Sequence, residues 1–135
     1  MKLSNNFDLA EFVKSDIATR LGIDNTPTFQ EVENIARLVV NVLQPLRNAY
    51  GKPITVNSGY RCPALNKAVG GSTTSSHMKG EAADITGGSK EENKVLFELV
   101  KKLNLSFDQL IDEKDFSWVH VSYRKGNNRN QILHL

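Results

Sequence analysis

Cysteine is nearly absent from this chain of 135 residues: Cys62 stands alone. No internal disulfide can form, so folding does not depend on an oxidising compartment. Long apolar runs are missing too. No stretch approaches the ~20 apolar residues of a membrane span, and the N-terminus, Met1-Lys2-Leu3-Ser4-Asn5-Asn6-Phe7-Asp8, lacks the apolar segment of a signal peptide. The expectation is a soluble product synthesised in the cytoplasm, which would need another route to any target outside. Charge of one sign is equally scarce. Lys and Arg total 17 against 15 Asp and Glu, a net charge of +2, and this argues against nucleic acid as a partner. The one local basic cluster, Arg124, Lys125 and Arg129, reads as a solvated loop. There is no internal repeat and no low-complexity linker.

What is present suffices for a core. With 39% hydrophobic residues, a single domain over residues 1–135 can bury its interior without disulfides or a structural metal. A monomer is expected. Phe7, Leu9, Phe12, Val13 and Ile17 predict one amphipathic helix over residues 7–20. Asp24-Asn25-Thr26-Pro27 is a turn, and Thr28-Phe29-Gln30-Glu31 matches a capping box. A long helix then runs to about Tyr50, kinked at Pro45 and ended by Gly51. Residues 52–57, 82–85, 107–111, 118–123 and 131–135 read as strands. Residues 63–69 and 91–103 read as helices. Helices first and mostly antiparallel strands later predict an α+β fold.

The densest signal is Ser75-Ser76-His77-Met78-Lys79-Gly80-Glu81-Ala82-Ala83-Asp84, with Trp118-Val119-His120-Val121 downstream. His77, Asp84 and His120 offer two imidazoles and a carboxylate, a first shell for one catalytic zinc ion with a position left open. Asp84 lies in an otherwise apolar strand, where a carboxylate is costly unless paired or bound to a cation. Gly80 permits the turn that brings His77 back over Asp84. On the downstream strand His120 shares a face with Trp118 and Ser122, while Val119 and Val121 face the core. His134, the third histidine, has no motif around it and reads as structural or exposed.

These motifs, with Ser58-Gly59-Tyr60-Arg61-Cys62-Pro63-Ala64-Leu65-Asn66 and Val69-Gly70-Gly71, resemble the zinc D-Ala-D-Ala peptidase family, peptidase M15, and especially its compact phage and bacterial members. The resemblance covers about residues 30–123 and extends to the N-terminal helix. It implies a small antiparallel β-sheet flanked by helices, the fold shared with the Hedgehog signalling domain. It also implies that His77, Asp84 and His120 ligate one Zn2+ and that Arg61 contacts substrate. A guanidinium fork suits a peptide carboxylate or a developing oxyanion; a surface salt bridge is the other reading. Ser75 hydrogen-bonds substrate or a metal ligand, or is a turn residue. Trp118 is a cleft wall or a core aromatic. No base pattern surrounds Cys62.

Members of the family commonly carry an acid three residues before the last histidine. Here that residue is Ser117. Asp112, Glu113 and Asp115 are nearby. Phe107-Asp108-Gln109-Leu110-Ile111 followed by an acid resembles a subgroup in which a glutamate after this strand approaches the metal, which favours Glu113, then Asp115, as the catalytic base. The implied reaction is amide hydrolysis in the stem peptides of peptidoglycan, by a D-Ala-D-Ala carboxypeptidase or an endolysin-type endopeptidase. Such an enzyme acts on the cell wall after release or as part of a phage particle. The alternative is a non-catalytic zinc-containing domain of the same fold, serving in wall binding or as a phage structural component.

Overall fold

The computed structural model describes residues 1–135. The chain opens with a hairpin, β1 (Lys2–Ser4) against β2 (Phe7–Asp8), and not with a helix from Phe7. Two short helices follow, α1 (Leu9–Val13) and α2 (Asp16–Leu21). Two N-cap signals divide the segment read as one helix. Asp8 and Glu11 form a capping box at the start of α1, and Ser15 Oγ accepts from Ala18 N at 3.1 Å to start α2. Gly22, with φ 69°, ends α2.

Thr28 and Glu31 form the expected capping box at the start of α3 (Phe29–Leu38). Pro45 has no N–H to donate, and its ring crowds the carbonyl four residues back. A π-helical segment, Val39–Leu43, widens the helix ahead of it before α4 (Gln44–Tyr50) resumes. Pro45 is therefore absorbed into a wider turn and does not break the helix.

The remaining elements are β3 (Thr55–Ser58), α5 (Pro63–Ala68), a 3-10 turn (Ser76–Lys79), β4 (Ala82–Thr86), α6 (Lys90–Lys102), β5 (Gln109–Glu113), β6 (Trp118–Ser122) and β7 (Gln131–His134). The architecture is α+β. Five strands form one sheet in the order β3-β4-β6-β5-β7, antiparallel throughout except for the parallel pair β5 and β7.

Val119 and Val121 on β6, and Ala83 and Ile85 on β4, are fully buried against Leu96, Phe97 and Val100 of α6. Leu38, Val42 and Leu46 complete the same core from α3, the π-helical segment and α4. Each of these valine, leucine, isoleucine and phenylalanine side chains contributes about 1.5–3 kcal/mol by leaving water. This packing occupies one face of the sheet and leaves alternate residues of β4, β5 and β6 on the other. No helix is long and apolar enough to cross a membrane.

Candidate metal centre

Asp84 on β4 and His120 on β6 stand opposite each other in register. Strand alternation turns both away from the core face that Ala83 and Val121 occupy. His77 comes to them from the 3-10 turn. Ser75 starts that turn, its Oγ accepting from His77 N at 3.2 Å. Gly80 ends it with φ 72°, and a Cβ there would sit 2.6 Å from the Glu31 carbonyl oxygen. Glycine thus lets the turn lie directly against α3, where Asn34 Nδ2 donates to the Lys79 carbonyl at 2.8 Å.

Asp84 Oδ1 lies 3.3 Å from His77 Nε2 and 3.0 Å from His120 Nδ1. The donor atoms of the three residues all lie within 4.8 Å of one another. Tetrahedral ligands about 2.0–2.1 Å from zinc are separated by about 3.4 Å, so the cluster fits a single zinc ion. Two imidazoles and one carboxylate also suit zinc chemically and leave one position of four for water or substrate. His77 Nδ1 meets the Gly59 carbonyl at 2.7 Å. A carbonyl can only accept, so the proton sits on Nδ1 and the Nε2 lone pair faces Asp84. Burial opposes the charge on Asp84, but the hydrogen bond from His120 Nδ1, with the His77 ring beside it, prevails and holds its carboxyl well below the usual carboxylate range.

The motif Ser58-Gly59-Tyr60-Arg61 builds the next wall. Ser58 pairs with Asp84 across β3 and β4. A Cβ on Gly59 would stand 2.6 Å from both Phe12 Cα and Phe12 O, so the backbone of α1 can approach only a glycine. Tyr60 N donates to Phe12 O at 2.6 Å and Arg61 N to His77 O at 3.1 Å. Asn25, buried at 7% exposure, clamps the same segment. Its Nδ2 donates to Val13 O at 2.9 Å and Tyr60 O at 3.0 Å, and its Oδ1 accepts from Cys62 N at 2.8 Å. The sequence marks Asn25 as a turn residue only, and nothing local in it signals this second task. Cys62 itself packs against the core. The Arg61 side chain is left lining the cleft, its Nε buried without a hydrogen-bond partner. Burial pushes Arg61 down from its ordinary value, while the charges of Asp84 and Glu113 push it back up.

The acids of the β5–β6 hairpin separate by face. Glu113 pairs in register with Trp118 and lies on the His120 face, where it lines the cleft. Trp118 is half-buried and also lines it, donating from Nε1 to Glu113 Oε2 at 3.3 Å. Asp112 points to the opposite face, where it is buried and pairs with His134. Asp115 does not line the cleft; it is exposed and pairs with Lys90. Ser117 is in the hairpin turn, its Oγ donating to Lys114 O at 2.6 Å. Lys114, Asp115 and Phe116 all have positive φ, 47°, 56° and 61°. Asn93, buried in α6, steadies that strained turn by donating to the carbonyls of Phe116 and Ser117.

The cleft above the cluster has a volume of about 660 Å³ and includes Ser75, His77, Asp84 and His120 in its walls. A second groove of about 540 Å³ runs between the α1–α2 junction, β3 and α5. Arg61, Val69 and Asp84 line both, so the two meet beside the metal cluster. Arg124 and Arg129 also line the first cleft, from a loop that stays largely exposed, as the sequence suggests. Both pair with Asp108, a buried carboxylate.

The family model for peptidase M15 matches residues 5–122. Over 49 residues the chain is 53% identical to the zinc D-Ala-D-Ala carboxypeptidase of Streptomyces albus G. That stretch is 36% of this chain and 19% of the relative, so the chain covers about a fifth of the relative's length. With a model match over most of its length and a fitting His-Asp-His cluster at the cleft, the chain belongs to the peptidase M15 family.

Proposed function

We propose that this chain is a zinc peptidase that hydrolyses amide bonds in the stem peptides of bacterial peptidoglycan. One observation carries the reading: His77, Asp84 and His120 converge at a cleft that Arg61 and Glu113 also line. The Streptomyces relative, a zinc D-Ala-D-Ala carboxypeptidase, supports the substrate class.

His77 Nε2, a carboxylate oxygen of Asp84 and His120 Nδ1 would hold the ion. Zinc supplies, when bound, a Lewis acid that brings the pKa of a water toward about 7 and polarises a carbonyl oxygen. The Gly59 carbonyl keeps His77 in the tautomer that can ligate. Glu113 accepts the proton of the attacking water and passes it to the leaving amine, as a general base and then a general acid. Its place at the end of β5, on the face of His120, supports this role. Asp115 is engaged with Lys90 outside the cleft, which supports Glu113 over Asp115 for this role. Arg61 holds a substrate carboxylate or the developing oxyanion; its buried, unpartnered Nε supports that assignment. Ser75 contributes a hydroxyl to the cleft wall and orients His77 from the start of its turn.

The two grooves meeting at Arg61 and Asp84 leave room for peptide on both sides of the metal cluster. This favours cleavage inside a stem or cross-link over removal of a terminal residue. Mass spectrometry of fragments from defined muropeptides tests it. Two peptide fragments are expected from each cut, with no product in the His120→Ala variant. Release of free D-alanine alone would assign a carboxypeptidase, and wall binding without cleavage would assign a non-catalytic domain.

A further inference from the structure

We propose that Arg124 and Arg129 form an anionic subsite that takes a second carboxylate of the substrate, at a distance from the bond that is cut. The proposal rests on the peptidase reading above and names which stem peptides the same cleft prefers: those whose side carboxylates are free.

Arg124 follows β6 four residues after His120, which sets it about 13 Å further along the strand direction. An extended peptide covers that distance with about four residues. Both arginines line the cleft that holds the metal cluster. They are anchored from below. Asp108 takes a two-point contact from Arg129, Nε at 3.0 Å and Nη2 at 2.8 Å, and forms an ion pair with Arg124 Nη2 at 3.2 Å. Arg124 Nη2 also donates to the Asn127 carbonyl at 3.0 Å. Asn128 closes the loop from both sides, accepting from Arg124 N at 2.8 Å and donating to Arg124 O at 3.0 Å.

Two features point to a ligand. Arg124 Nε is buried and has no hydrogen-bond partner, a condition that a folded protein rarely leaves without a reason. The charges are also unbalanced. Lys79, Arg124 and Arg129 gather around Glu81 and Asp108, three cations to two carboxylates, and burial pushes the Glu81 carboxyl up. A guanidinium already fixed by Asp108 and a backbone carbonyl loses little freedom on meeting a carboxylate, and its planar fork matches one. A stem peptide carries side carboxylates within a few residues of its cleavable bonds; amidation turns them into neutral groups.

The test titrates the zinc-loaded full chain with two synthetic stem peptides that differ only in their side carboxylates, free in one and amidated in the other. Trp118 fluorescence, read by stopped flow before turnover, reports binding without requiring hydrolysis. The free acid should bind about tenfold more tightly, the worth of a charge-assisted hydrogen bond. Arg124→Ala should bring the two peptides to equal affinity. Arg124→Lys, which keeps the charge and loses the fork, should retain part of the preference and replaces the alanine variant if that does not fold. Equal affinity in the unsubstituted protein, undetectable binding of both included, overturns the proposal, as does a preference that survives Arg124→Ala. A preference for the acid with neither peptide cut would keep the subsite and remove the peptidase reading.

Discussion

The Gly59 carbonyl accepts a hydrogen bond from His77 Nδ1 at 2.7 Å, so a strand-end glycine sets the tautomer of a histidine in the candidate metal cluster. The same glycine is locked against Phe12 of α1, where a Cβ would approach backbone atoms to 2.6 Å. Gly59→Ala must therefore displace either α1 or the carbonyl. Overpacking of this kind costs about 1–3 kcal/mol. Loss of the partner to a metal-bound histidine weakens metal binding by about 10–100-fold. Chemical denaturation and a competitive zinc chelator measure the two effects. An unchanged zinc affinity would reduce Gly59 to a spacer.

Asn25→Ala removes three hydrogen bonds to the backbone, two with Tyr60 O and Cys62 N on either side of Arg61 and one with Val13 O at the end of α1. Each is worth about 0.5–1.5 kcal/mol, and more where a group stays unsatisfied, so the variant should lose about 2–4 kcal/mol of stability. Asn25→Asp keeps the acceptor for Cys62 N but turns a buried carboxylate oxygen toward the Val13 and Tyr60 carbonyls, and should be no more stable than Asn25→Ala at pH 7. Urea unfolding of the three proteins gives the order directly.

Glu113→Gln keeps the size of the side chain and its contact with Trp118 while removing proton transfer. The expected loss is about 10²–10⁴-fold in kcat, with one zinc still bound per chain. Asp115→Asn should change kcat less than threefold, because Asp115 is exposed and engaged with Lys90 away from the cleft. The two variants assayed side by side on one muropeptide separate the acids. The reverse order of effects would transfer the base role to Asp115.

Asp108 gives a pH signature. Its hydrogen bond with Arg129 outweighs burial and holds the carboxyl below the ordinary carboxylate value. A carboxyl with a lowered folded-state pKa contributes stability that is complete above the unfolded value, about 3.9, and is lost as pH falls toward the folded value. Thermal melts should show Asp108→Asn less stable than the parent by a few degrees at pH 7, with the gap closing below about pH 4. A gap that widened in acid would contradict the ion pairs with Arg124 and Arg129.

The convergence of His77, Asp84 and His120 was legible in the sequence because each signal is local and its chemistry is costly otherwise. Asp84 among alanines and isoleucine, and His120 between two valines, each announce a polar face on a buried strand. The assignment among Asp112, Glu113 and Asp115 was not legible in the same way. The strand lies at Gln109–Glu113, two residues beyond the expected 107–111, and a shift in where a strand starts does not reveal the face of each residue until pairing fixes it. Only the register of Glu113 with Trp118 separates Glu113 from Asp112.

Long-range contacts were hidden as well. Asn25 meets Tyr60 across 35 residues and Arg129 meets Asp108 across 21, while local turn and charge patterns already accounted for each residue. The N-terminal segment misled for another reason. Its apolar spacing suits a helix, but the caps at Asp8 and Ser15 divide it.

The central claim is that zinc held by His77, Asp84 and His120 is required for cleavage of peptidoglycan stem peptides. Amine release from purified peptidoglycan tests it most directly, with the protein zinc-loaded, then stripped by a chelator, then reloaded. The account predicts release by the loaded protein, none after stripping, recovery when one zinc is returned per chain, and none at any stage from His120→Ala. Amine release that persists after stripping, or in His120→Ala, would contradict it.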